Sequence, residues 1–128
     1  MRRVSHLSDL DNRNALYLHG LTEAVQAITS VDILEYQTPL TGFSITPSDT
    51  TNTLVIDPAG ALLNGMVTMP ANPVNGQKLT ILSTMAITTL TISPNAGQAL
   101  DGTLTTIAAN GFGSWVYRLS NTTWYRAG

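Results

Sequence analysis

Apolar positions follow one rule early in the chain and another later. Leu18, Leu21, Val25 and Ile28 recur at alternating steps of three and four, which places them on one face of a helix. Ser8 or Asp9 suits the start of such a helix, and Ser30 with the β-branched Val31 suits its end. Gly20 falls inside the pattern and costs up to ~1 kcal/mol of helix stability. A firm helix is therefore predicted only over residues 21–29, with residues 1–20 extended or helical depending on a partner. The apolar stripe has two readings: packing against the rest of the chain, or a docking arm or short trimeric seam. Two heptads are too few to hold a coiled coil alone.

From residue 50 onward the pattern becomes that of strands punctuated by turns. Residues 53–56, 66–69, 78–82, 89–92, 104–107 and 115–119 are rich in β-branched and aromatic side chains, and Thr123-Trp124-Tyr125 suits a last strand. Between them stand Asn64-Gly65, Asn75-Gly76, Asp101-Gly102 and Asn110-Gly111, dipeptides that favour hairpin turns. Pro58, Pro70, Pro73 and Pro94 lie at the edges of the runs, where a missing N–H breaks no ladder. The fold class expected is mainly β, with an antiparallel β-sandwich or jelly-roll-like domain over residues 52–128. Residues 1–36 are expected to form an arm with a short helix. Residues 37–51 read as a linker or a first edge strand with Phe43 and Ile45 facing inward.

Composition narrows the function classes. The chain has 128 residues, 43% of them hydrophobic, enough for one domain that folds without disulfides. The absence of cysteine removes disulfide frameworks, thiolate metal sites and cysteine nucleophiles together. Charged residues make up only 11%, against about 25% in an average soluble domain. Thr, Ser, Asn and Gly supply the polar surface instead, and such groups are cheaper to bury at subunit contacts than charges when they find hydrogen bonds. A net charge of −2 with scattered Lys and Arg argues against nucleic acid as a partner, because phosphate binding needs clustered cations. No continuous apolar segment follows Met1-Arg2-Arg3 and no stretch is long enough to span a bilayer. The expectation is a chain made in the cytoplasm, soluble, with no membrane partner.

Searches for chemistry lead to ordinary structural roles. His6 and His19 are the only histidines, both in the charged N-terminal segment, and no Gly-x-Ser-x-Gly elbow occurs. Asp9, Asp11, Asn12 and Asn14 are spaced like a calcium loop, but Asn14 and Gly20 stand where its Gly and its final acid belong. Asp57 precedes Pro58 and Asp101 precedes Gly102, so this carboxylate pair reads as turn residues rather than a glycosidase pair. Gly111-Phe112-Gly113 is too short for a dinucleotide fingerprint, and Asn121-Thr122-Thr123 reads as a hairpin turn. No catalytic residue, metal site or cofactor is expected, and no enzyme. Of the aromatics Trp115, Tyr117, Trp124 and Tyr125, most are expected in the core. Phe112 and Trp115 are the candidates for an exposed ligand loop.

Three segments together resemble β domains of tailed-bacteriophage virion proteins. They are Pro70-Ala71-Asn72-Pro73-Val74-Asn75-Gly76-Gln77, then Ile87-Thr88-Thr89-Leu90-Thr91-Ile92-Ser93-Pro94-Asn95-Ala96-Gly97-Gln98, then Asn121-Thr122-Thr123-Trp124-Tyr125-Arg126. Such domains recur in capsid decoration (cement) proteins, head fibres and tail-fibre segments, and the resemblance covers about residues 52–128. It implies a structural role in the virion and a homotrimer. A short arm plus one β domain suits a cement protein that trimerises on the capsid exterior, with the major capsid protein as partner. On that expectation Leu18, Leu21, Val25 and Ile28 anchor the arm or trimer stalk, while Arg2, Arg3 and Arg13 meet acidic groups on the shell. The competing expectation is a head-fibre or tail-fibre module that binds host-surface glycan.

Overall fold

Strand β1 (Leu34–Gln37), β3 (Thr53–Ile56) and β5 (Lys78–Ser83) stack parallel and in register, so that Glu35, Leu54 and Ile81 form one cross-strand row. Between them β2 (Phe43–Ile45), β4 (Leu62–Thr68) and β6 (Ile87–Ser93) stack the same way in a second sheet, with Ile45, Val67 and Ile92 in one row. The chain thus alternates between two sheets through three stacked coils, a short β-solenoid. These features come from a computed structural model, which describes residues 33–128.

The remaining strands are β7 (Ala99–Asp101), β8 (Gly111–Arg118) and β9 (Thr123–Arg126), with a 3₁₀ turn at Leu119–Asn121. They extend the first sheet to six strands in the order β1-β3-β5-β8-β9-β7, against three strands, β2-β4-β6, in the other.

The β class expected from the sequence is what the structure has, but the antiparallel sandwich or jelly roll is not. Antiparallel ladders occur among the named strands only at β5–β8 and β8–β9. The reason is local. Asn64-Gly65, read as a hairpin turn, lies inside β4, and a Cβ on Gly65 would sit 1.9 Å from the ring of Phe43. That glycine serves the close approach of a neighbouring coil rather than a reversal of the chain. Without reversals, each strand crosses to the opposite sheet and the next coil lands parallel on the last. The expected strand at residues 104–107 reduces to a single bridge at Ile107.

Alternation in the strands aims one set of side chains inward. Leu54, Ile56, Val67, Leu79, Ile81 and Leu90 are buried there, each contributing about 1.5–3 kcal/mol relative to exposure. The first coil departs from this rule. Its inward positions on β1 are Glu35 and Gln37, and Gln37 Nε2 donates to Glu35 Oε2 at 3.3 Å. Glu35 Oε1 accepts from the Ser48 backbone N–H at 3.2 Å and from Thr51 Oγ1 at 3.3 Å. Phe43 and Ile45, in the segment that read as either a linker or an edge strand, lie in β2 and are half-buried against the core.

At the other end, both sheets are closed by the C-terminal segment. Strand β8 takes the free edge of β5, while Ile107 exchanges backbone hydrogen bonds with Ile87, and Leu90 N donates to Thr105 O at 2.8 Å. Trp115, Tyr117 and Trp124 fill the space beneath this cap. Their polar atoms are placed as well: Trp115 Nε1 donates to Gly102 O at 2.7 Å and Trp124 Nε1 to Gln98 Oε1 at 3.0 Å. Among the described residues no buried side-chain nitrogen or oxygen lacks a partner.

Candidate functional site

The outward positions of the strands decide what this domain can present. Across the six-stranded sheet one outward row runs Tyr36, Val55, Leu82, Phe112, each opposite the next on neighbouring strands. Its end members are large and exposed, Tyr36 at 55% and Phe112 at 59%. The adjacent outward row is Leu34, Thr53, Thr80 and Ser114, in which the Thr80 and Ser114 hydroxyls lie 3.2 Å apart. On that side of the stripe charge begins in a third row, with Lys78 opposite Val116 and Asp101 opposite Tyr125, while on the other side Asp57 follows the end of β3 next to Tyr36. Outward positions on the three-stranded sheet are more polar, with Ser44, Met66 and Thr91 in one row and Asn64 opposite Thr89 in another.

The stripe is held in place at one end. The Tyr36 hydroxyl donates to Asp57 Oδ2, and Thr84 Oγ1 donates to Asp57 Oδ1 at 2.6 Å. These donors stabilise the charged carboxylate, so Asp57 titrates below its ordinary value, Thr84 contributing most and Tyr36 next. The same hydrogen bond raises the Tyr36 hydroxyl above its ordinary range. Asp49 is lowered in the same way by the backbone N–H of Asn72 and then by its side-chain amide, which pins the loop carrying Asn72 to the turn before β3.

A shallow, open depression of about 270 Å³ lies on the three-stranded sheet, lined by residues that include Phe43, Asn64, Met66 and Thr91. It brings no ionisable group together with a nucleophile. No group of three or more acids and histidines close enough to hold a metal occurs among the described residues.

The site residues named from the sequence fare unevenly. Arg2, Arg3, Arg13, Leu18, Leu21, Val25 and Ile28 lie outside the described residues. Phe112 is exposed, whereas Trp115 is fully buried, so the pair does not form an exposed ligand loop. Both belong to β8, where alternation sends Phe112 outward and Trp115 inward against Leu79. Sequence reasoning missed Tyr36, Val55 and Leu82 as surface partners of Phe112. The signal that joins them is register between coils, and no local motif encodes it. Tyr36 was also grouped with the N-terminal segment, yet it lies in β1.

Comparison with protein-family profiles, with curated proteins and with solved structures finds no match. Among the described residues no helix is long and apolar enough to cross a membrane.

Proposed function

We propose that the chain is a non-enzymatic structural protein of a tailed-bacteriophage particle, a capsid decoration protein that sits on the outer shell as a homotrimer and stabilises the head. The observation that carries this reading is the division of labour along the solenoid. Its C-terminal end is closed by an aromatic cap, while residues 1–32 join the chain at the β1 end. Such a unit suits attachment through one end and display of the other. The resemblance of residues 70–77, 87–98 and 121–126 to virion β domains points the same way. In this proposal the major capsid protein and further copies of the chain are the partners, the arm residues Arg2, Arg3, Arg13, Leu18, Leu21, Val25 and Ile28 make the attachment, and neither nucleic acid nor membrane is contacted. Three arms engaging together multiply modest contacts into firm binding.

A head-fibre or tail-fibre module that binds host glycan is the second reading, favoured by the exposed ring of Phe112. Particles made without the protein separate the two. A cement protein, added back in purified form, raises the temperature at which the heads release their DNA. A fibre module leaves that temperature unchanged and restores adsorption to host cells instead, and restoration of neither defeats both readings.

A further inference from the structure

We propose that the outer face of the six-stranded sheet is where a second copy of this chain docks, side by side along the row Tyr36, Val55, Leu82 and Phe112, with the two solenoid axes parallel. The row crosses β1, β3, β5 and β8. Because coils stack at right angles to their strands, it runs along the solenoid axis for three strand spacings, about 14 Å. A stripe in that direction is covered along its whole length by a neighbour lying alongside. A partner approaching end-on would cover only one of its members.

The pattern of charge favours a copy of the chain itself. When identical subunits meet side by side in the same sense around an axis that runs along the stripe, the residues of the stripe face their own equivalents, and a charge there would face itself. The stripe contains no charged residue, and neither does the flanking row of Leu34, Thr53, Thr80 and Ser114. Lys78 and Asp101 begin one row further out, at a distance from the stripe where solvent screens like charges. On the stripe's other flank, the Asp57 carboxylate already takes hydrogen bonds from Tyr36 and Thr84. The Tyr36 ring is fixed by that bond, which lowers the ordering cost of docking.

A glycan fits the same stripe poorly. Its two exposed rings lie at opposite ends, farther apart than one sugar ring spans, and Val55 and Leu82 between them offer no hydrogen-bonding side chain. The parallel sense of the two copies rests on the function proposed above, in which every copy is held from its N-terminal end; the choice of face does not.

The chain has no cysteine, so single cysteines report on the contact directly. In the full-length protein, Val55→Cys and Phe112→Cys should each form covalent dimers with itself on mild oxidation, because a disulfide needs Cα atoms within about 7 Å. Thr91→Cys, on the three-stranded sheet, should remain uncrosslinked. Leu82→Glu should shift the assembly measured by light scattering to single chains, while circular dichroism and the unfolding transition show a folded domain. Four results would each overturn the proposal: a wild-type chain that is monomeric at micromolar concentration, unchanged assembly in folded Leu82→Glu, equal crosslinking at Thr91→Cys, or crosslinking only when Tyr36→Cys and Phe112→Cys chains are mixed. The last would mean antiparallel copies. A monomeric chain nevertheless abundant in phage particles would refute the stripe contact and leave the virion reading standing.

Discussion

The two ends of the solenoid solve one problem with opposite chemistry. A stack of coils leaves a cross-section of core and two strand edges open at each end, and both must be protected. At the β1 end the strands are short, and the inward positions of the first sheet carry Glu35 and Gln37, hydrogen-bonded to each other and, through Glu35, to Ser48 and Thr51. At the other end β8 and β9 turn the ladder antiparallel and bring Trp115, Tyr117 and Trp124 across the core, with Tyr117 and Trp124 ring centroids 5.0 Å apart. A polar rung tapers the core, whereas an aromatic lid extends it. The cap thus holds a large share of the buried apolar surface, while the first coil sets where that surface stops.

Truncating the lid should therefore cost most. Trp124→Ala removes a fully buried ring and its hydrogen bond to Gln98, and a loss of about 3–5 kcal/mol is expected. The midpoint of denaturant unfolding measures it. Glu35→Ala at the opposite end leaves the Ser48 N–H without its acceptor and takes one of two partners from the Thr51 hydroxyl, a smaller loss of about 1–3 kcal/mol. Equal losses at the two ends would break the contrast drawn here.

The smallest effects belong to pH. Asp49 and Asp57 are both lowered from an ordinary value of 3.8 in the folded chain. Their contribution is complete above that value and is lost as the pH falls through the lower, folded-state titration. The melting temperature should thus be flat across the neutral range and decline only below the ordinary carboxylate range. Tyr36, raised in the folded state, adds a decline on the alkaline side, as pH rises through its folded titration. Asp57→Asn should flatten the acid limb relative to the unsubstituted chain, which melting curves taken across the pH range will show.

Much of the β half is legible in the sequence, and its pairing is not. Thr53–Ile56 is the strand that alternation and β-branching indicate, and most other runs lie within or overlap strands. Asn75-Gly76 and Asp101-Gly102 hold glycines at φ +81° and +90°, and Asn110 is at φ 60°, so these three signals do mark tight turns. Parallel stacking stays hidden because the coils have unequal lengths: the interval from Leu34 to Thr53 is shorter than that from Thr53 to Thr80, which also holds the Pro70–Gln77 segment. A solenoid with a fixed repeat shows itself as self-similarity; one with unequal corners does not. The burial of Trp115 and the exposure of Phe112 follow from β8 alternation, but the row that Phe112 completes depends on three other strands. Strand β1 is obscured for a related reason, since its inward residues are Glu35 and Gln37 and its outward ones Leu34 and Tyr36. That inverts the usual pattern of apolar-in and polar-out.

The proposed role makes this solenoid a shell-bound component of a phage particle. Quantitative mass spectrometry of phage particles purified from the chain's source tests it most directly, as a copy number against the major capsid protein. A shell-bound role predicts a ratio corresponding to hundreds of copies per particle. A few copies to a few tens would move the assignment to a fibre, and absence of the chain from particles would contradict the claim.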